Sequence, residues 1–470
     1  MSTNSHHLRF REKLGYGLGD TASNFFFQTF NIFLLYYYTD VFGLSAAAVG
    51  TMFFVTKLWD AVNDPLMGII ADRTQTRFGK FRPYLLWVAI PYGVLGFLMF
   101  ANPDLDESGK LVYAWVTYSL MMMVYTAINV PYSALMGVMT PSSQERTVLS
   151  SYRFVCAFGG GLLISMLVRP LIDYLGEGDE AQGFSATMAL FAVLSIVLFW
   201  YSFASTRERV TTPVDQKADL RHDLKILISN RPWVILFFAA IFTLANVAVK
   251  NAVTVHFFKY YVGDDGTPYF LFMDRTTLFL TVGMLAMILG VASTRLFTKH
   301  FEKKSLMIWL SLLNAASMLI IFLIPPDQFW TMMVVNIVGT FLVGPTPALV
   351  WAMYADTADY GEWKYGRRTT GLVFSAAQFA QKFGLTIGAG LSGWLLGSFG
   401  FIANVEQTDT SLLGIRLMFT VVPACLATMN ALVLIFYSLS DRQVGQIEID
   451  LQQRKSNAMK FDNAETVSGN

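Results

Sequence analysis

Charge is what this sequence has least of. Only 14% of its 470 residues are Asp, Glu, Lys or Arg, where a soluble domain carries about a quarter. A soluble chain of this length would divide into roughly two to four domains, whose surfaces need more charge than is present. The net charge of +1 excludes the basic field of a nucleic-acid binder. Cysteine is nearly absent. Cys156 and Cys425 both lie in apolar runs, so they form neither a disulfide framework nor a zinc site. Residues 1–12 are polar and run directly into an apolar stretch, without the cleavage-site pattern of a signal peptide. No GxxxxGK[ST] phosphate loop is present, which argues against direct use of ATP. Nor is there a repeated filter loop of the channel kind.

What the chain has instead is apolar length: 54% hydrophobic residues and a mean hydropathy of +0.46. A spanning helix needs about 20 mostly apolar residues. Twelve such stretches run near 16–42, 45–71, 83–101, 111–139, 148–171, 184–205, 233–258, 276–299, 305–324, 328–354, 370–399 and 412–439. They are too long, and apolar on too many sides, for the alternating strands of a barrel. The expected fold is therefore an all-α membrane protein of twelve transmembrane helices.

Every second connection is basic, as around Arg73, Arg77, Lys80 and Arg82, while the intervening ones carry acids such as Asp104, Asp106, Asp179 and Asp264. The positive-inside rule then places both termini in the cytoplasm. The longest polar connection divides the chain into residues 1–206, a central loop 207–232, a second half 233–442 and a polar tail 443–470, read as disordered. Two pseudo-symmetric six-helix bundles around a cavity form the major facilitator arrangement.

Ionisable residues inside a span cost at least about 2.5 kcal/mol each on insertion scales and are functional by default. The clearest are Asp20, Asp60, Asp64, Arg153, Lys250 and Lys382. They could also serve only to pair with one another. Asp60 and Asp64, four apart with Asn63 beside them, share a helix face. Two carboxylates so close must share a proton or hold a cation, and oxygen ligands suit a hard one such as Na+. Thr126 and Asn129 share a face of the fourth span, as further ligands or as interhelical hydrogen bonds. Asp20, Asn24 and Gln28 recur every four residues, a polar stripe suited to sugar hydroxyls. Gln378 joins Lys382 on the eleventh span. Tyr36, Tyr37 and Tyr38 read as an interfacial belt, and His256 as interfacial.

Several segments are recognisable together. KLGYGLGD (13–20), YYYTDVFG (36–43), WDAVNDPLMG (59–68), DRTQTRFGKFRPY (72–84), INVPYSALMG (128–137) and DTADYGEWKYGRR (356–368) resemble the glycoside–pentoside–hexuronide:cation symporters, the group that includes the melibiose carrier. The resemblance runs from Lys13 to about Ser438. It implies a cation site at Asp60, Asn63, Asp64 and Thr126, and sugar contacts from Arg153 and Lys382. The melibiose carrier's galactoside-binding aspartates are replaced by Asn24 and Asn129, and a tryptophan by Ser133, which points away from melibiose.

The expected function is therefore symport of a glycoside or pentoside with Na+ or H+ across a bacterial inner membrane. The chain would work as a monomer, with a sugar, a cation and the lipid bilayer as its partners. No cofactor and no catalysis are expected. An anionic sugar (a hexuronide, glucuronide or sulfonated sugar) is the alternative, because three bases, three acids and a bound cation leave one positive charge over. An enzyme on lipid-linked sugars is a remote third, since the 206–232 connection is too short for a catalytic domain. Asp72, Arg73, Arg77, Lys80 and Arg82 in one half, and Asp356, Asp359, Glu362, Arg367 and Arg368 in the other, are expected to pair as an inner gate.

Overall fold

The structure, a computed structural model, describes residues 8–140, 142–209, 220–366 and 370–468. Among them the chain is helical, apart from two isolated bridges in loops. The first six crossings are Phe10–Tyr36, Ala46–Arg73, a broken third (Arg82–Trp87 and Ala89–Leu98), Glu107–Met139, Ser143–Gly176 and Glu180–Ser205. The last six are Arg231–His256, Arg275–Thr298, Lys303–Leu323, a broken tenth (Phe329–Val343 and Thr346–Tyr365), Thr370–Ser398 and a broken twelfth (Asp409–Phe419 and Val421–Ile435). All twelve expected stretches are found. Several helices run past the apolar stretch at the end that carries the termini, the tenth as far as Tyr365.

Proline and glycine account for the breaks. Pro91 and Pro423 each stand third in a new helix, where the missing N–H falls in the first turn and costs nothing. Gly344 and Pro345 separate the two parts of the tenth crossing. The first and seventh crossings end alike: each closes in a π-helical turn, Tyr37–Val41 and Phe257–Val262. A glycine at positive φ then releases the chain, Gly43 at 83° and Gly263 at 74°.

The halves meet along three helix pairs: first with seventh, second with eleventh, fifth with eighth. A twofold axis that exchanges the halves turns the second pair into the third and leaves the first unchanged. The contacts therefore carry the pseudo-symmetry that the sequence shows only faintly. At the second–eleventh crossing the backbones touch, because Gly50 faces Gly390 and Gly393.

The two ends of the bundle differ. At the end away from the termini, the apolar core of the first half continues across the interface into Val253, Phe258, Phe279 and Met332. At the other end the second half has a core of its own, including Trp233, Leu349 and Tyr354. The bundle is thus sealed at the far end.

Three expectations are corrected here. The tail is not disordered: Asp441–Ser468 is a helix. Val444, Ile447 and Leu451, spaced three and four apart, bury one face of it in the core of the second half. The Trp363 indole donates to Asp450 at 3.0 Å. Tyr36, Tyr37 and Tyr38 are not an interfacial belt, since each is at most 2% exposed, the latter two in the π turn. His256 is not interfacial either; it is fully buried between the halves.

Candidate functional site

The acid pair lies midway along the second crossing. The Thr126 hydroxyl, from the fourth, sits 2.5 Å from Asp60 Oδ1 and 3.0 Å from Asp64 Oδ1. From the other half, the Lys382 ammonium donates to Asp60 Oδ2 at 3.2 Å and also to Asp64 Oδ2. Sequence reasoning offered two ways to hold these carboxylates together, a shared proton or a cation. The structure shows a third: a lysine ammonium placed where a cation's charge would be. Lys382, expected among the sugar contacts, thus stands at the acid pair. Its side chain is 34% exposed and that of Asp64 26%, so the cluster is open to the cavity. Two carboxylate oxygens and a hydroxyl converging on one point are the kind of oxygen donors a hard cation takes.

Asp20 is the second acid and has its own base. Arg153 donates from Nε to Asp20 Oδ2 at 2.8 Å and from Nη2 to Oδ1 at 3.4 Å. The guanidinium lies over the Tyr132 ring at 5.2 Å, and Tyr132 stacks on Tyr16 at 4.8 Å. Such an arrangement offers both hydrogen-bonding groups and an aromatic face. Gly17 permits it, because any side chain there would strike the Tyr152 backbone. Ser23 donates to Asn129 Oδ1 at 2.6 Å, linking the first and fourth crossings. Asn24 turns its amide to the Asp20 carbonyl at 2.9 Å. Gln28 lies against Gly161. The polar stripe of the first crossing therefore faces the fifth, with Ser23 beside it reaching the fourth.

Other expected residues are not brought together. Lys250 donates to Asn336 Oδ1 at 3.4 Å and lies 5.7 Å over the Phe419 ring, with no carboxylate paired to it among the described residues. Gln378 is exposed, one turn from Lys382, and Asn63 is half-buried beside the pair. At the terminal end, Arg73 is exposed, Arg77 lies over Phe78, and Lys80 over Phe81. Arg82 donates to the carbonyls of Phe78 and Phe203. Lys303 bonds Asp356 at 2.5 Å. The ring contact of Arg77 and the bonds of Arg82 and Asp356 described here stay within their own half. Asp359 and Glu362 lie on the last part of the tenth crossing. Arg367, Arg368 and the Asp72 side chain lie outside the described residues.

Sequence reasoning missed Lys57, which stands one turn before Asp60 on the same face and feels its charge. A basic residue inside an apolar span was the available signal. It also missed Ser23 and the Tyr16–Tyr132 stack, which composition alone does not distinguish from packing.

Residues 15–441 match the model of the family described as MFS/sugar transport protein. The chain belongs to that family. An isoprimeverose transporter of Lactiplantibacillus pentosus is 36% identical over 462 residues, covering 96% of this chain and 93% of the relative. A glucuronide carrier protein homolog of Escherichia coli is 31% identical over 452 residues, covering 96% and 97%. Among solved structures, a D-xylose–proton symporter superposes with a TM-score of 0.61 over 90% of this chain and 95% of its own, at 14% identity. That likeness concerns the fold alone. The chain is accordingly a multi-pass all-α membrane protein of a sugar-transporting family.

Proposed function

We propose that this protein carries a glycoside or pentoside inward together with a monovalent cation, by alternating access between two six-helix halves. The observation that carries the reading is the Asp60–Asp64–Thr126 cluster with Lys382 held against it from the opposite half. A carrier must return empty without leaking its cation. Lys382 supplies the missing positive charge in that empty state, so the pair crosses the low-dielectric interior with the same net charge as when it is loaded. An arriving Na+ or H+ takes over that charge and frees the ammonium, which then has sugar hydroxyls within reach of the same cavity. Cation loading and sugar binding become one event, which is the requirement for coupling.

The sugar site of this reading is Asp20, Asn24, Gln28, Asn129 and Arg153 in the first half, with Gln378 and Lys382 from the second. The basic connections place both termini in the cytoplasm, so the sealed far end faces outward and the structure corresponds to an inward-facing state. The inner-gate pairs would form when that end shuts. Transport needs no catalytic group, and we assign none.

A second reading has its own observation. Lys57 and Lys250 bring the basic groups of the interior to four against three acids, and Lys250 has an amide as its partner. An anionic glycoside would use that excess. Uptake by proteoliposomes separates the readings. Imposed Na+ and H+ gradients should drive accumulation of a neutral xyloside or glucoside. Accumulation of a glucuronide alone would shift the substrate to the anionic class, and accumulation of none under either gradient would refute symport.

A further inference from the structure

Two buried carboxylates join the halves at the far end of the bundle: Asp274, paired with Arg169 of the first half, and Asp40. Asp40, in the π turn that ends the first crossing, accepts from Lys259 Nζ at 3.1 Å and from the Tyr260 hydroxyl through Oδ1. His256 Nε2 stands 3.2 Å from Oδ2. These three partners come from the end of the seventh crossing, in the opposite half; the Thr39 hydroxyl of the first half also stands 2.7 Å from Oδ2 and 3.0 Å from His256 Nε2. The side chains of Asp40 and His256 have no solvent exposure. His256 Nδ1 has no hydrogen-bond partner, which suits the tautomer with its proton on Nε2, donating toward Asp40, because a bare lone pair is the less costly group to leave unmatched. The Asn404 amide donates to the Asp40 carbonyl at 2.6 Å and its backbone N–H to Tyr260 at 2.8 Å.

The division of labour is what sets this cluster apart from ordinary packing. The first half holds the carboxylate, and the second holds the ammonium, the phenol and the imidazole that reach it. One carboxylate meets one ammonium, so the closed cluster is uncharged overall. When the halves part, each group passes into water and none is stranded in apolar surroundings, as would happen if the partners lay deeper in one half. The outer side is already open: a cavity of about 620 Å³ lies between the halves there, lined in part by Tyr36, Lys259, Tyr260 and Asn404. The π turns put the groups in register. Such a turn adds a residue to the helix and rotates the remainder of the segment by about 100°, one α-helical residue's worth. Asp40 stands in one such turn, and Lys259 and Tyr260 in the other.

We propose that Asp40, His256, Lys259 and Tyr260 are gating residues of transport: a latch that holds the outer end shut and must break as a unit before substrate enters from outside. This rests on the transport reading above. Its test does not require sugar, so failure of the two can be told apart. The full-length protein, with Cys156→Ser and Cys425→Ser, receives one reporter, Ser165→Cys. Ser165 is 6% exposed and shares a helix face with Gly161, which abuts Met284, and Arg169, which pairs with Asp274. A membrane-impermeant maleimide added from outside reaches it only when the halves part.

Asp40→Asn should raise the labelling rate roughly ten-fold or more, the size of one lost charge-assisted hydrogen bond. Lys259→Met should raise it less. The double variant should label only slightly faster than Asp40→Asn alone, because both changes break the Asp40–Lys259 pair and Lys259→Met adds, across the interface, only the loss of its bond to the Tyr36 hydroxyl. Asp40→Glu should restore part of the seal, which a merely structural loss would not. Unchanged labelling in a folded Asp40→Asn protein, or rates that multiply in the double variant, would overturn the latch. Should Asp40→Asn fail to reach the membrane, Tyr260→Phe removes one bond and no charge. It should raise labelling about two- to five-fold, and no rise there overturns the proposal equally.

Discussion

Two acidic groups of the first half are each met by a lysine of the second, and they are built to opposite ends. At the centre, Asp60 and Asp64 have Lys382 and Thr126, and the cluster is partly open to the cavity. At the far end, Asp40 has Lys259, Tyr260 and His256 and is closed to solvent. The central pair has one carboxylate more than its lysine can balance. The far-end group is matched one to one, with neutral donors added. An excess carboxylate in reach of water invites a cation, whereas a balanced, dry one only holds surfaces together. The same residue types thus give a binding site in one place and a fastening in the other.

The largest way to break this contrast is to discharge the centre. Asp60→Asn or Asp64→Asn should abolish uphill accumulation. Removing one member of a buried pair costs about 3–5 kcal/mol, or roughly a hundred- to several-thousand-fold in cation affinity. Gradient-driven uptake in proteoliposomes measures it, and retained accumulation in either variant would place the cation elsewhere. Next comes Lys382→Gln. If the ammonium competes with the cation, removing it should tighten sugar-free Na+ binding about ten-fold, or about 1.4 kcal/mol, while coupled transport falls. Calorimetric Na+ titration reads the sign, and weaker binding would mean that Lys382 supports the cation instead.

Lys250→Gln sharpens the substrate side. A neutral glycoside should lose little, whereas an anionic one should lose about 1.5–3 kcal/mol, a charge-assisted hydrogen bond. Competition by a glucuronide and by its neutral glucoside compares the two directly. The smallest effect belongs to the exposed terminal end. Arg77→Ala should slow transport by less than about five-fold and leave sugar affinity unchanged, since exposed pairs contribute about 0–1 kcal/mol. Lost sugar binding in a folded Arg77→Ala protein would contradict this.

The fold was readable because lipid demands it: twelve apolar lengths leave little choice about what crosses the membrane. The acid pair was readable too, since four residues along a helix fix a shared face. What could not be read was which base meets which acid. Lys382 lies more than three hundred positions from Asp64, and no local spacing brings them together. Lys250 looked equivalent to it and faces Asn336 instead. The far-end latch escaped for a different reason. Aromatic residues near a span's end ordinarily mark the lipid boundary, but here Tyr37 and Tyr38 are buried in the π turn among Phe42, Phe53, Phe100 and Phe184 of their own half, and His256 meets Tyr36 and Asp40 across the interface. The tail helix failed a composition rule, because three apolar residues suffice to dock an otherwise polar helix.

The glycine contact between the second and eleventh crossings has a mechanical consequence. Gly50 and Gly393 bring two backbones together with no side chain between them; a methyl group on Gly393 would stand 2.5 Å from the Gly50 Cα. Interlocked side chains would have to climb over one another whenever the halves rock. Smooth backbones slide, so this crossing works as a bearing beside the latch rather than as a second fastening. A single added carbon at Gly393 would act as a wedge, spoiling the closed fit and leaving the carrier biased toward its opening at the far end.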